Sequence, residues 1–209
     1  SFTITILGEM EEEEVLYRSG AQAGDTVYMS SQPGLAAGGL ALLSAGLAGG
    51  STFFSELFTR HLNPEARLHL GRRLAASGLV HAMMDSSDGL ATDLAHICSA
   101  SELGAQIFSR TLPVSDALRQ AARLCGADPL DWILRGGEDF ELIFTAPSQA
   151  DASLRRLAQD CIIPIHAIGR IDRGEGLRLV QEETEEADGS RETPLSYQGY
   201  DHFRQPGKD

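Results

Sequence analysis

The chain has 209 residues, 42% of them hydrophobic, enough to bury a sizeable core in one domain or two small ones. Its formal net charge of −13, from 30 acidic and 17 basic residues, sets the surface against nucleic acid and anionic membranes as partners. Three cysteines, Cys98, Cys125 and Cys161, lie far apart with no metal-ligand spacing, and read as reduced thiols of a cytoplasmic protein.

In chain order, "SFTITILGE" alternates apolar Phe2, Ile4 and Ile6 with threonines, which predicts a strand. The run Glu11–Glu14 reads as a solvated loop. "TVYMS" (Thr26 to Ser30) predicts a second strand, and a helix follows from about Leu35 with Leu40, Leu43 and Leu47 on one face. The uncharged tract from Thr26 to Ser55 contains Pro33 and repeated glycines, which suit close helix packing and make a poor membrane span. Ser51 reads as the cap of a further helix, and Pro64 as the first turn of another that ends at Gly78.

"LVHAMMD" predicts a strand and Gly89 to Ala100 a helix. "AQIFSRT" is a strand, and "SDALRQAARLCG" a helix capped by Ser115 and closed by Gly126. "FELIFTAP", "IPIHAIGRI" and "LRLVQEE" are strands, with the helix "SQADASLRRLAQDC" after the first. The charged tail from Glu183 reads as a solvated connector. Strands alternate with helices, so the fold class is α+β: a mixed β-sheet covered by helices.

Two stretches carry chemistry. "DSSDG" (Asp85 to Gly89) lies where a strand passes into a helix. Backbone N–H groups at a helix start attract anions, and carboxylates there either cap the helix or hold a divalent cation. Ser87 offers a hydroxyl suited to a cap or a phosphate oxygen. The spacing is wrong for a calcium-binding EF-hand, because the glycine is fifth and the twelfth residue is His96. A helix cap with a spare carboxylate therefore stands beside a paired-carboxylate Mg²⁺ site. The second stretch is "LRGGEDFELIFTAP", in which two glycines precede Glu138 and Asp139; a Gly-Gly turn that exposes a carboxylate at a strand entrance suits a ligand contact, although turns often contain Gly and acidic residues. His81, His96, His166 and His202 lack mutual metal spacing and read as structural.

Together "DSSDGLATDL", "GGEDFELIFT", "RSGAQAGDTVY" and "GYDHF" resemble, in order, the motifs of the thiamine-monophosphate kinase family, within the aminoimidazole ribonucleotide synthetase-like superfamily. Two positions depart from the pattern: Leu35 stands where the family usually has Asp, and Ala66 where it has Pro. The resemblance implies that residues 1–12 are the last strand of a missing N-terminal domain plus a linker, and that residues 13–209 are the family's C-terminal domain. It also implies ATP-dependent, Mg²⁺-assisted phosphorylation of thiamine monophosphate to thiamine diphosphate in the cytoplasm, with homodimers formed through the missing domain. Carried over by position, Asp85 and Asp88 would bind Mg²⁺, Arg18 and Ser87 would contact ATP, and Glu138 and Tyr200 would contact the thiamine substrate. Asp93 is a weaker metal candidate and reads as a solvated helix residue. The alternatives are a related kinase with another small acceptor and a non-catalytic nucleotide-binding or assembly domain.

Overall fold

The computed structural model describes residues 3–47, 52–182 and 190–196. Seven strands form one sheet: β1 (Thr26–Ser30), β2 (Ala82–Ser86), β3 (Gly104–Phe108), β4 (Glu141–Ala146), β5 (Ile165–Asp172), β6 (Leu177–Glu182) and β7 (Ser190–Leu195). Their order is β2-β4-β1-β5-β3-β6-β7. The β3–β6 pair is parallel and the others antiparallel, so the sheet is mixed, as the sequence predicts.

The central strands are apolar on both sides, and each side faces a helical layer. Val27 and Met29 of β1 point into one core; Tyr28, between them, points into the other. The first core takes α1 (Leu35–Ser44), α2 (Ser55–Leu62), α4 (Leu90–Ser101), α5 (Asp116–Cys125) and α6 (Pro129–Arg135). The second takes α3 (Leu68–Ala76) and α7 (Asp151–Asp160). There Tyr28 stacks on its cross-strand partner Phe144, with ring centroids 5.2 Å apart, and its hydroxyl donates to Asp151 (3.1 Å). Helix α5 is capped as predicted: Ser115 accepts from the Leu118 N–H, and Gly126 closes the helix in the left-handed region.

Several expectations fail. Residues 3–8 form no strand, and Ile4, Ile6 and Leu7 are almost fully exposed, because no neighbouring strand satisfies their backbone. Helix α1 buries Leu35 and Leu42 and exposes Leu40; it ends at Ser44, before Leu47, which is also exposed. It is apolar all round, and its buried face is chosen by Gly38, where a Cβ would run into Leu118 of α5 and Leu57 of α2, and by Gly39, where it would run into the Leu57 backbone. Helix α3 begins at Leu68 and not at Pro64, since Arg67 just before it turns inward to a buried partner. The predicted cap Ser51 lies outside the described residues. Helix α6 and strand β7 are additions; Arg178 on β6 holds β7 through Glu192 (3.3 Å). Among the described residues, no helix is long and apolar enough to cross a membrane.

Candidate functional site: two docked acidic turns

Strand β2 pairs with β4 so that Asp85 faces Leu142 and Ser86 faces Glu141. This register brings the aspartate turn after β2 alongside the Gly-Gly-Glu-Asp turn before β4. The two are joined by backbone bonds: the Glu138 N–H donates to the Ser87 carbonyl and the Phe140 N–H to the Ser86 carbonyl, both 2.8 Å. Glycines permit the approach. A Cβ at Gly137 would lie 2.5 Å from the Ser87 carbonyl oxygen. At Gly89 it would lie 2.9 Å from the Arg135 carbonyl carbon, and its φ of +109° disfavours any side chain.

Neither Ser87 nor Asp88 caps the helix that follows them. Helix α4 starts after Gly89 with no cap from its preceding side chains. Asp93, one turn inside, reaches back instead: its Oδ2 accepts the N–H groups of Asp88 and Gly89, both at 3.1 Å. Asp93 is therefore a buried clamp and not the solvated residue expected, and burial pushes its carboxyl up to about 6. Its other oxygen, Oδ1, is buried without a partner. Asp93 thus ties the turn that precedes the helix, while the Asp85 and Asp88 carboxylates are exposed, and no described residue hydrogen-bonds or ion-pairs with either.

Two further buried acids support the second turn. Asp139 accepts the N–H groups of Gly34 (2.6 Å) and Ala36 (3.1 Å), fixing the start of α1 against the turn. Burial pushes its carboxyl up to about 7 despite those bonds. Glu138 and Phe140, on either side of it, are both left-handed, with φ of 65° and 50°. Asp139 anchors a turn whose backbone is held in costly conformations. Glu141 accepts from Arg67 through Nε (2.9 Å) and Nη2 (2.6 Å), from Arg60 (3.2 Å) and from the Ser30 hydroxyl (2.5 Å). Arg67, Asp139 and Glu141 were not singled out as site residues. Their signal was the pair of acids inside "GGEDFEL", but those acids' partners lie 74 to 111 residues away in the chain.

The predicted site residues that the structure describes line two clefts. Arg18 and Asp85 line one cleft, where the chain at Tyr17 runs beside β2 and its carbonyl accepts the Met83 N–H (3.0 Å). Ser87, Asp88 and Glu138 line a second, together with Ala36, Ala37 and Arg135. Tyr200 lies outside the described residues. Asp85 and Asp88 each offer an exposed carboxylate, the donor type that a magnesium ion keeping most of its waters takes. Among the described residues, no group of three or more His, Cys, Asp or Glu side chains could hold a metal, so a bound ion would need further oxygens, such as those of a phosphate. His81 is structural as predicted, bonded to the buried Asp25 at 2.9 Å.

Residues 22–182 match the model of AIR synthase related protein, C-terminal domain. The chain is 38% identical over 208 residues to thiamine-monophosphate kinase of Escherichia coli K12, covering 99% of this chain and 61% of that one. The Rhodopirellula baltica thiamine-monophosphate kinase is 35% identical over 85% of this chain and 48% of its own. The chain thus spans about three-fifths or less of the curated relatives it matches. The crystal structure of thiamine-monophosphate kinase from Stenotrophomonas maltophilia superposes with a TM-score of 0.74 at 38% identity, over 81% of this chain and 54% of that one. A structure of AaThiL complexed with AMPPCP and TMP superposes with a TM-score of 0.73 at 31% identity, over 90% of this chain and 54% of that one. Escherichia coli HypE, a hydrogenase maturation protein, shares the fold at 18% identity and a TM-score of 0.69. The chain belongs to the AIR synthase related proteins and carries that family's C-terminal domain.

Proposed function

We propose that the whole protein transfers the γ-phosphoryl group of ATP to thiamine monophosphate, giving thiamine diphosphate, and that this chain supplies one wall of the site. The observation that carries the reading is the docking of the two turns, which leaves Asp85 and Asp88 exposed and uncommitted, with Asp88 in one cleft with Glu138. Its relatives at 35–38% identity are thiamine-monophosphate kinases, which supports the same substrate.

The chemistry suits these residues. The attacking oxygen belongs to a phosphate already ionised near neutral pH, so no strong general base is required. The difficulty is bringing two anions together, which calls for positioning and charge neutralisation. Asp85 and Asp88 would hold Mg²⁺, which when bound offsets negative charge on the phosphates. Arg18, beside Asp85, would bind ATP as a fixed cation, and Ser87 would offer its hydroxyl to a phosphate oxygen. Glu138 would face the cationic thiazolium, with Tyr200 as an aromatic surface. Residues 1–12 would link to a preceding N-terminal domain that carries further metal ligands and the dimer contact, and the protein would work in the cytoplasm.

Incubating the whole protein with ATP, Mg²⁺ and a panel of small acceptors tests the reading. Thiamine diphosphate should form, with thiamine monophosphate preferred. A preferred acceptor other than thiamine monophosphate would favour the related-kinase reading; no phosphoryl transfer at all would favour a nucleotide-binding or assembly domain. These 209 residues alone should be inactive and bind ATP weakly; robust turnover by them would contradict the two-domain site.

A further inference from the structure

A protein of net charge −13 that binds anions needs a local source of positive charge on each side where an anion sits. On the Asp85 side of the aspartate turn that source is Arg18. On the other side, Asp88 and Glu138 line a cleft of about 520 Å³, and an anion entering it meets two exposed carboxylates. Among the residues lining that cleft, Arg135 is the one arginine or lysine.

Arg135 is placed for this by its backbone. It ends α6, and Gly89 packs so closely on it that a Cβ there would lie 3.1 Å from the Arg135 carbonyl oxygen. The guanidinium therefore springs from a point fixed beside Asp88. Its side chain has little other employment. Its ion pair is with Asp131, one turn back in the same helix, at a loose 3.6 Å, with both side chains at least 60% exposed. Such pairs are weak and screened, so releasing Arg135 to a ligand costs little. A guanidinium also matches the oxygens of a phosphate better than an ammonium does.

We propose that Arg135 binds the phosphate of the acceptor, so that each of the two phosphate compounds meets its own arginine, Arg18 for the donor in the cleft lined by Asp85 and Arg135 for the acceptor in the cleft lined by Asp88. This assignment rests on the kinase reading above. Glu138 and Arg135 then hold opposite ends of one zwitterionic molecule: the carboxylate faces the thiazolium, and the guanidinium the phosphate. The arrangement selects against thiamine itself, which lacks the phosphate and leaves Arg135 unsatisfied.

Calorimetric titration of the whole protein with thiamine monophosphate and with thiamine tests the assignment. The unaltered protein binds the phosphate ester more tightly. Arg135→Ala lowers affinity for the ester on the order of tenfold, leaves thiamine binding and the melting temperature unchanged, and Arg135→Lys recovers part of the loss. In turnover, the KM for thiamine monophosphate rises and that for ATP does not. An unchanged preference for the ester, an equal loss of thiamine binding, or a rise in the KM for ATP overturns it. If the unaltered protein binds neither thiamine compound, the kinase reading fails, and titration with inorganic phosphate decides Arg135 separately. Weaker phosphate binding by the alanine variant keeps an anion site there, and equal binding removes it.

Discussion

Removing the Glu141 carboxylate should destabilise the protein far more than removing any exposed acid. Glu141 and Arg67 side chains are 2% and 5% exposed, and they meet through two charge-assisted bonds of 2.9 and 2.6 Å. In Glu141→Ala the Arg67 guanidinium stays buried with its main partner gone, leaving only Glu65, which is exposed. Breaking a buried pair on one side costs about 3–5 kcal/mol. That is a large part of the roughly 5–15 kcal/mol that stabilises a domain, and corresponds to a fall in Tm of about 6–20 °C for a chain of this size. Arg60 is less buried, at 18%, and also donates to Ser31, so it can turn to water and adds little to the penalty. Urea denaturation followed by the fluorescence of Trp132, the single tryptophan, measures the loss. The double variant Glu141→Leu with Arg67→Met should recover most of it, since replacing both partners removes the stranded charge. Asp160→Asn is the control: its pair with Arg73 is exposed and worth under about 1 kcal/mol. A Glu141→Ala loss no larger than that of Asp160→Asn would refute the reasoning.

Other consequences follow from the docked turns. Gly137→Ala forces a methyl group against the Ser87 carbonyl and should cost about 1–3 kcal/mol while weakening Mg²⁺–ATP binding; Gly8→Ala, with nothing near its Cβ, should do neither, as melting and titration would show. Asp139 gives a pH signature. Its carboxyl is pushed up by burial to about 7, above the usual carboxylate value of about 4, so its contribution to stability is complete below about pH 4 and is lost as pH rises through 7. Measured against Asp139→Asn, the unaltered protein should therefore lose stability between about pH 4 and 7 and change little above; parallel pH profiles would contradict this.

How much of this was legible in the sequence depended on how local each cause was. Helix α5 was readable in full because Ser115 and Gly126 carry its ends within the segment. Strands β2, β4 and β5 were readable because they are short apolar runs between turn residues. Helix α6 carried a signal that went unread: Asp128 caps it and Pro129 opens it. Strand β7 carried little, since "SRETPL" is an edge strand held by backbone pairing to β6. Residues 3–8 show the reverse, because alternation makes a strand only beside a partner strand, and among the described residues none pairs with them. At the site, Asp85, Asp88 and Glu138 were legible as exposed acids beside glycines. The clamps beneath them were not. Asp93 looked solvated because a lone acid on a helix usually is, and the partners of Asp139 and Glu141 are brought together only by the sheet.

The central claim is that the aspartate turn holds the metal on which phosphoryl transfer depends. The most direct test is the rate of thiamine diphosphate formation by the whole protein as free Mg²⁺ is varied, for the unaltered protein and for Asp88→Asn. The account predicts no turnover without Mg²⁺, saturation as it rises, and a variant whose kcat falls on the order of a hundredfold with its fold intact. An Asp88→Asn protein that turns over at the unaltered rate and at the same Mg²⁺ concentration would contradict it.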